Sequence, residues 1–243
     1  MRFLLKFSYD GSNYAGFQNQ PGLNTIQFQL EEALKKVNNN TKTIICATGR
    51  TDKGVHALCQ YAHTDISVNI TEEKLKRALN SNLPDDIHII STKHVSDDFH
   101  ARYNVKGKEY KYYINLGEYN PIERNYVFQY NHELNVESMK EAIKYFIGTH
   151  DYRAFVTENK DKENCIRTID KATIEKKDNK LIITFHGNGF LRYQVRNMVG
   201  ILIRVGENKI SPDSVEKILA SKDRTKSGKT AKAVGLYLTS VEY

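Results

Sequence analysis

The sequence has no tryptophan, and in 243 residues only three cysteines, four prolines and fourteen glycines. So little glycine and proline excludes collagen-like repetition and disorder by composition. Cys46, Cys59 and Cys165 are odd in number and scattered, which fits a reduced, cytoplasmic protein better than a disulfide-stapled secreted one. No apolar run approaches the length of a membrane span, and a membrane protein is not expected. Met1 leads straight into FLLKFSY (3–9) without a basic and apolar leader, so no signal peptide is expected either. What the chain does have is positive charge: 36 Lys and Arg against 29 Asp and Glu, a net of +7. The excess is uneven. Residues 1–104 carry a net of +1 and residues 105–243 a net of +6. A basic half suits a polyanionic partner such as nucleic acid, although a lysine-rich soluble protein gives the same balance.

Hydrophobic periodicity divides the chain into two halves of related order. In the first, FLLKFSY (3–9), TIICA (43–47), 57–68 and 86–95 read as strands. Helices fall at 24–38, with Asn24 or Thr25 as N-cap and Ile26, Leu30, Ala33, Leu34 and Val37 inward, and at 71–79. The second half opens on the aromatic strand KEYKYYINL (108–116), followed by a helix at 135–148 and a hairpin of 168–177 with 180–187 around Asp178-Asn179. A mostly apolar helix then runs from about Leu191 to Val205 and stops at Gly206, a short helix starts at Ser211-Pro212, and 235–243 is a last strand. The expected fold is α+β: two ferredoxin-like β-α-β-β-α-β halves, 1–104 and 105–243, with mainly antiparallel sheets and a cleft between them.

Three tempting motifs fail on chemistry. SGKT (227–230) resembles the end of a phosphate-binding loop, but Asp223 stands where the loop needs its first glycine. GNGFLR (187–192) puts Arg192 where a dinucleotide fingerprint needs its third glycine. His56, Cys59 and His63 would share a helix face, yet on a strand their odd offsets point to opposite faces, and no metal site is expected.

Three features carry chemistry. In CATGRTDKGVHA (46–57) a strand ends and Gly49, Arg50, Asp52 and Gly54 follow within a few residues. Glycines permit a tight loop, and Arg50 is near enough in sequence to hold the Asp52 carboxylate ionised. Spacing alone also fits a surface turn with a casual ion pair. In FLRYQVRNMVGILIRV, Arg192 and Arg196 fall one turn apart on an otherwise apolar helix. A cation there needs a buried carboxylate, for which Asp52 is a candidate, or a snorkelling route to water. Third, Tyr110, Tyr112 and Tyr113 interleave with Lys106, Lys108 and Lys111, as suits stacked bases over a neutralised backbone. Alternation puts Tyr110 and Tyr112 on one face and Tyr113 on the other, and at least one of the three is ordinary core.

The chain resembles the tRNA pseudouridine synthase A family. The matching segments are YDGSNYAGFQ (9–18), TGRTDKGVHA (48–57), SNLPDDI (81–87), DDFHAR (97–102), KEYKYYI (108–114), FLRYQVRNMVG (190–200), KDRT (222–225) and GLYL (235–238), in order through nearly the whole chain. It departs in having Phe17 for the usual tryptophan, Lys53 after the aspartate, and Lys232 near a customary proline. The resemblance implies isomerisation of uridine to pseudouridine at tRNA positions 38, 39 and 40. It makes Asp52 the essential aspartate, Tyr110 the tyrosine packed against the target base, and Arg196 the arginine paired with the aspartate. Arg50, His100 and Arg102 are implied substrate contacts. It also implies a homodimer with one RNA bridging both subunits, and no cofactor or metal. Two rivals remain: a paralogue acting on ribosomal RNA, and a non-catalytic RNA-binding module. The module is disfavoured because VKGKEYKYYI lacks the aromatic signature such modules carry.

Overall fold

The structure, a computed structural model, describes residues 1–156 and 164–243. Its chain divides into two compact units, Met1–Lys106 with Tyr237–Tyr243, and Gly107–Leu236.

The first unit is built on β1 (Arg2–Tyr9), where strict alternation buries Phe3, Leu5, Phe7 and Tyr9 and turns the intervening residues outward. β1 lies between β3 (His56–Asp65) and β4 (Ile87–Val95), antiparallel to both. β2 (Ile45–Ala47) adds to the far side of β3, giving the order β4-β1-β3-β2 that a ferredoxin-like half requires. α1 (Ile26–Val37) starts at Thr25, whose hydroxyl accepts the Phe28 amide at 3.2 Å, and buries Ile26, Leu30, Ala33 and Leu34. α2 (Glu72–Asn80) is capped in the same way by Thr71 and buries Leu75 and Leu79.

The second unit orders its strands β5-β9-β8-β7, each pair antiparallel. β5 (Gly107–Asn115), β8 (Ile166–Lys177) and β9 (Lys180–Gly187) follow the expected pattern, with Asp178 turning the hairpin at a left-handed φ of 52°. β6 (Phe128–Gln129) and β7 (Gly148–Asp151) were not expected; two and four residues are too few for a period to show. α3 (Val136–Ile143) ends earlier than expected, in a 3-10 turn over Lys144–Phe146. α4 (Gln194–Gly206) buries eleven of its thirteen residues. It begins at Gln194 rather than Leu191 because Tyr193 has a φ of 62°, which an α-helix cannot continue through. Arg192 therefore lies before the helix, exposed, and not on an apolar face. α5 (Ser214–Ser221) completes the unit.

One assignment changes between sequence and structure. By sequence order the last strand, β10 (Leu236–Glu242), falls in the second half. Tyr237–Tyr243 belong instead to the first unit, where Tyr237 and Leu238 pair in parallel with His56 and Ala57 of β3. Apart from this strand and β6, every pair within the two units is antiparallel.

Candidate active site

Asp52 lies in the loop between β2 and β3, and that loop is fastened at many points within the first unit. The Val55 amide closes a turn on the Asp52 carbonyl at 3.1 Å. The Thr51 carbonyl accepts the Phe17 amide at 3.0 Å, and the Thr51 hydroxyl meets the Tyr9 hydroxyl at 2.8 Å. Gln60, fully buried in β3, donates from its amide nitrogen to the Gly49 carbonyl at 3.1 Å. The segment 10–17 presses against the loop at two glycines. A Cβ on Gly11 would stand 2.0 Å from the Val55 carbonyl oxygen. One on Gly16, whose φ is +108°, would stand 3.1 Å from the Thr51 oxygen and 3.2 Å from the Lys53 nitrogen. Only glycine permits both the backbone angle and the approach.

His56 follows the loop directly. Its Nδ1 receives the Gly11 amide at 3.2 Å, lies 3.1 Å from an Asp10 carboxylate oxygen, and its ring stacks on Tyr237 with centroids 4.6 Å apart. Tyr243 reaches the start of the same loop, sharing a hydrogen bond with the Thr48 hydroxyl at 2.7 Å. Asp52 itself is half-buried. Arg50 is exposed.

His100 and Arg102 lie in the turn after β4. Arg102 is exposed. His100 stacks on Tyr103 with centroids 4.2 Å apart, and its Nε2 is 3.5 Å from the Cys46 sulfur. With His63 this makes a trio whose ligand atoms all lie within 4.8 Å of one another. The reading of His56, Cys59 and His63 overlooked it, because its members come from β2, β3 and a distant turn. The hydrogen bonds run against a metal. His100 and His63 each accept a backbone amide at Nδ1, from Arg102 at 3.2 Å and Ala101 at 3.1 Å. That puts the proton of the neutral ring on Nε2, whereas a metal-bound imidazole donates from its second nitrogen. Burial, with His100 and Arg2 nearby, holds His63 below the usual imidazole range.

Tyr110 and Arg196 belong to the second unit. Tyr110 is 9% exposed and meets Phe190 edge to face at 5.2 Å, while Tyr112 is wholly buried and donates its hydroxyl to the Lys232 carbonyl at 2.7 Å. Tyr112 is the core tyrosine of the three. Arg196 is half-buried. Its Nε donates to the Ala231 carbonyl at 2.8 Å and its guanidinium lies 5.2 Å from the centre of the Tyr193 ring. The left-handed turn at Tyr193 sets that ring beneath the arginine.

The family model for tRNA pseudouridine synthase matches residues 6–104 and 142–243, which include the Asp52 loop, His100, Arg102 and Arg196. The chain belongs to the tRNA pseudouridine synthase family. The tRNA pseudouridine synthase A of Streptococcus agalactiae (serotype Ia) is 44% identical over 245 residues, covering 100% of this chain and 95% of that one. The enzymes of that name from Limosilactobacillus reuteri (DSM 20016) and Streptococcus pyogenes serotype M1 are each 42% identical over the whole chain, covering 96% and 99% of theirs. Within the synthase frame, Phe17 in place of tryptophan is a core ring, 2% exposed and packed on Phe7 and Tyr9, so the departure removes no reacting group. Lys53 is exposed.

Gly16 gives a direct test of the loop. Gly16→Ala forces a side chain into a left-handed angle, at a cost of about 1–2 kcal/mol, and pushes on the backbone either side of Asp52. Thermal unfolding should register that loss, and single-turnover pseudouridine formation should slow by more than the unfolded fraction explains. Wild-type turnover would mean that the contact with Thr51 and Lys53 does not shape the loop.

Proposed function

We propose that the chain isomerises uridine to pseudouridine at positions 38, 39 and 40 of the tRNA anticodon stem-loop, with Asp52 as the acting carboxylate. Family membership makes it an isomerase that converts uridine in tRNA to pseudouridine; the target positions and residue roles are the proposal. The reaction balances without an added reagent. The N1–C1′ bond breaks, uracil turns in place, C5 joins C1′, the C5 proton leaves, and N1 takes one up. The uridine must first leave its stack, as for other enzymes that act on a base.

The observation that carries this reading is the fastening of the Asp52 loop, through Thr51 and Gly49, to buried residues of β1, β3 and segment 10–17. A carboxylate held in this way meets its substrate with its direction already set, which is where much of a catalytic advantage comes from. Tyr110 takes the face of the target base. Arg196 keeps the reacting carboxylate ionised. His100 and the exposed cations Arg50 and Arg102 contact the RNA, helped by the net +6 of residues 105–243. We place the enzyme in the cytoplasm as a homodimer, with one tRNA bridging its subunits.

Purified protein incubated with an unmodified tRNA transcript in EDTA, without nucleotides, should form pseudouridine at positions 38 to 40 and nowhere else. A divalent requirement beyond RNA folding would overturn the metal-free chemistry. Modification of ribosomal RNA with tRNA untouched, mapped in a deletion strain with and without this gene, would overturn the substrate.

A further inference from the structure

Tyr9 is a core residue by burial, 5% exposed, yet it ends in a hydroxyl, and that hydroxyl bonds within the protein. Its ring sits among Phe7 and Phe17, with centroids 6.1 and 6.3 Å away. Phenylalanine would fill that space as well, so packing does not explain the oxygen. The oxygen lies 2.8 Å from the Thr51 hydroxyl, one residue before Asp52. Gln60 holds the Gly49 carbonyl on the other side of Arg50. Thr51 is 8% exposed and Gln60 fully buried, so the Tyr9–Thr51 and Gln60–Gly49 bonds each meet the loop in a dry region. Burial pushes the Tyr9 hydroxyl up to about 12, and it stays neutral at any working pH. In such a place each hydrogen bond has one geometry, because an unmade bond leaves a buried polar atom unsatisfied.

We propose that Tyr9 is a positioning residue for Asp52: its hydroxyl fixes Thr51, and Thr51 sets the direction of the adjoining carboxylate. The inference rests on the reading of Asp52 as the acting group. Tyr9 touches no substrate. It acts through main chain that Phe17 and Val55 hold from the other side.

Four variants test this. Tyr9→Phe keeps the ring and removes only the oxygen. Its single-turnover rate of pseudouridine formation should fall by about 10- to 100-fold, the scale of a slightly misdirected reacting group, with tRNA affinity within about twofold of wild type. Thr51→Val should slow the same step by a similar factor, and Thr51→Ser, which keeps the hydroxyl, should restore it. The Tyr9→Phe/Thr51→Val pair should be little worse than either single variant, since both cut one link. A merely structural role would move thermal stability and folded fraction without sparing the serine variant or coupling the two sites in the chemical step. Wild-type turnover in Tyr9→Phe, beside an inactive Asp52→Asn control, would overturn the inference and leave the reading of Asp52 intact. An active Asp52→Asn control would overturn the reading beneath it.

Discussion

Asp52→Asn should fold as the wild type does and bind tRNA with similar affinity, while its turnover drops by about 10⁴-fold or more. The side chains are nearly the same size and both accept hydrogen bonds, so the turn closed by the Val55 amide on the Asp52 carbonyl should survive the change. Binding that rests on phosphate contacts spread over many cations would be indifferent to one loop carboxylate. What asparagine lacks is the charged oxygen that attacks or takes a proton. The assay is single-turnover tritium release from C5-labelled tRNA, run beside filter binding. Residual activity within about tenfold of wild type would remove Asp52 from the chemistry, and lost binding with intact chemistry would make it a structural residue.

Arg196→Ala should strike activity harder than stability. The guanidinium is half-buried, donating to the Ala231 carbonyl and resting on the Tyr193 ring. Losing the hydrogen bond to Ala231 and the Tyr193 packing costs about 1 kcal/mol once partial exposure is allowed for. If Arg196 also keeps the reacting carboxylate ionised, turnover should fall by about 10²- to 10³-fold, as when a fixed electrostatic partner of a reacting group is removed. Arg196→Lys should recover stability more than rate, since an ammonium cannot reproduce the planar fork and its ring contact. Wild-type turnover in Arg196→Ala would confine the residue to holding segment 229–232 against α4.

The elements legible in the sequence were those with room for a period. β1 shows its alternation over eight residues, and α1 and α2 show their apolar stripes and threonine caps. β6 and β7 are too short for that, and the start of α4 turns on the backbone angle of Tyr193, which no periodicity reports. The Asp52 loop announced itself through Gly49, Gly54 and a single carboxylate. Its supports did not. Tyr9 and Thr51 are 42 residues apart, and a hydrophobic alternation that buries Tyr9 hides the use of its oxygen. Gly16 was legible only as part of a family resemblance, not as the place where one backbone must pass close to another. The trio of Cys46, His63 and His100 was invisible because its members share no segment.

The return of β10 to the first unit bears on the order in which the protein can mature on the ribosome. The loop holding Asp52 is made within the first sixty residues, but β10 stands at the far end of the sequence. Tyr237, which stacks on His56, and Tyr243, which meets Thr48 and donates to the Ala101 carbonyl, emerge only after every residue of the second unit. Until then the nascent first unit has β3 short of one neighbour and His56 without its stacked ring. The loop therefore acquires its last supports late in synthesis, and a chain interrupted before residue 236 carries every polar group of the Asp52 loop without the clasp that finishes it.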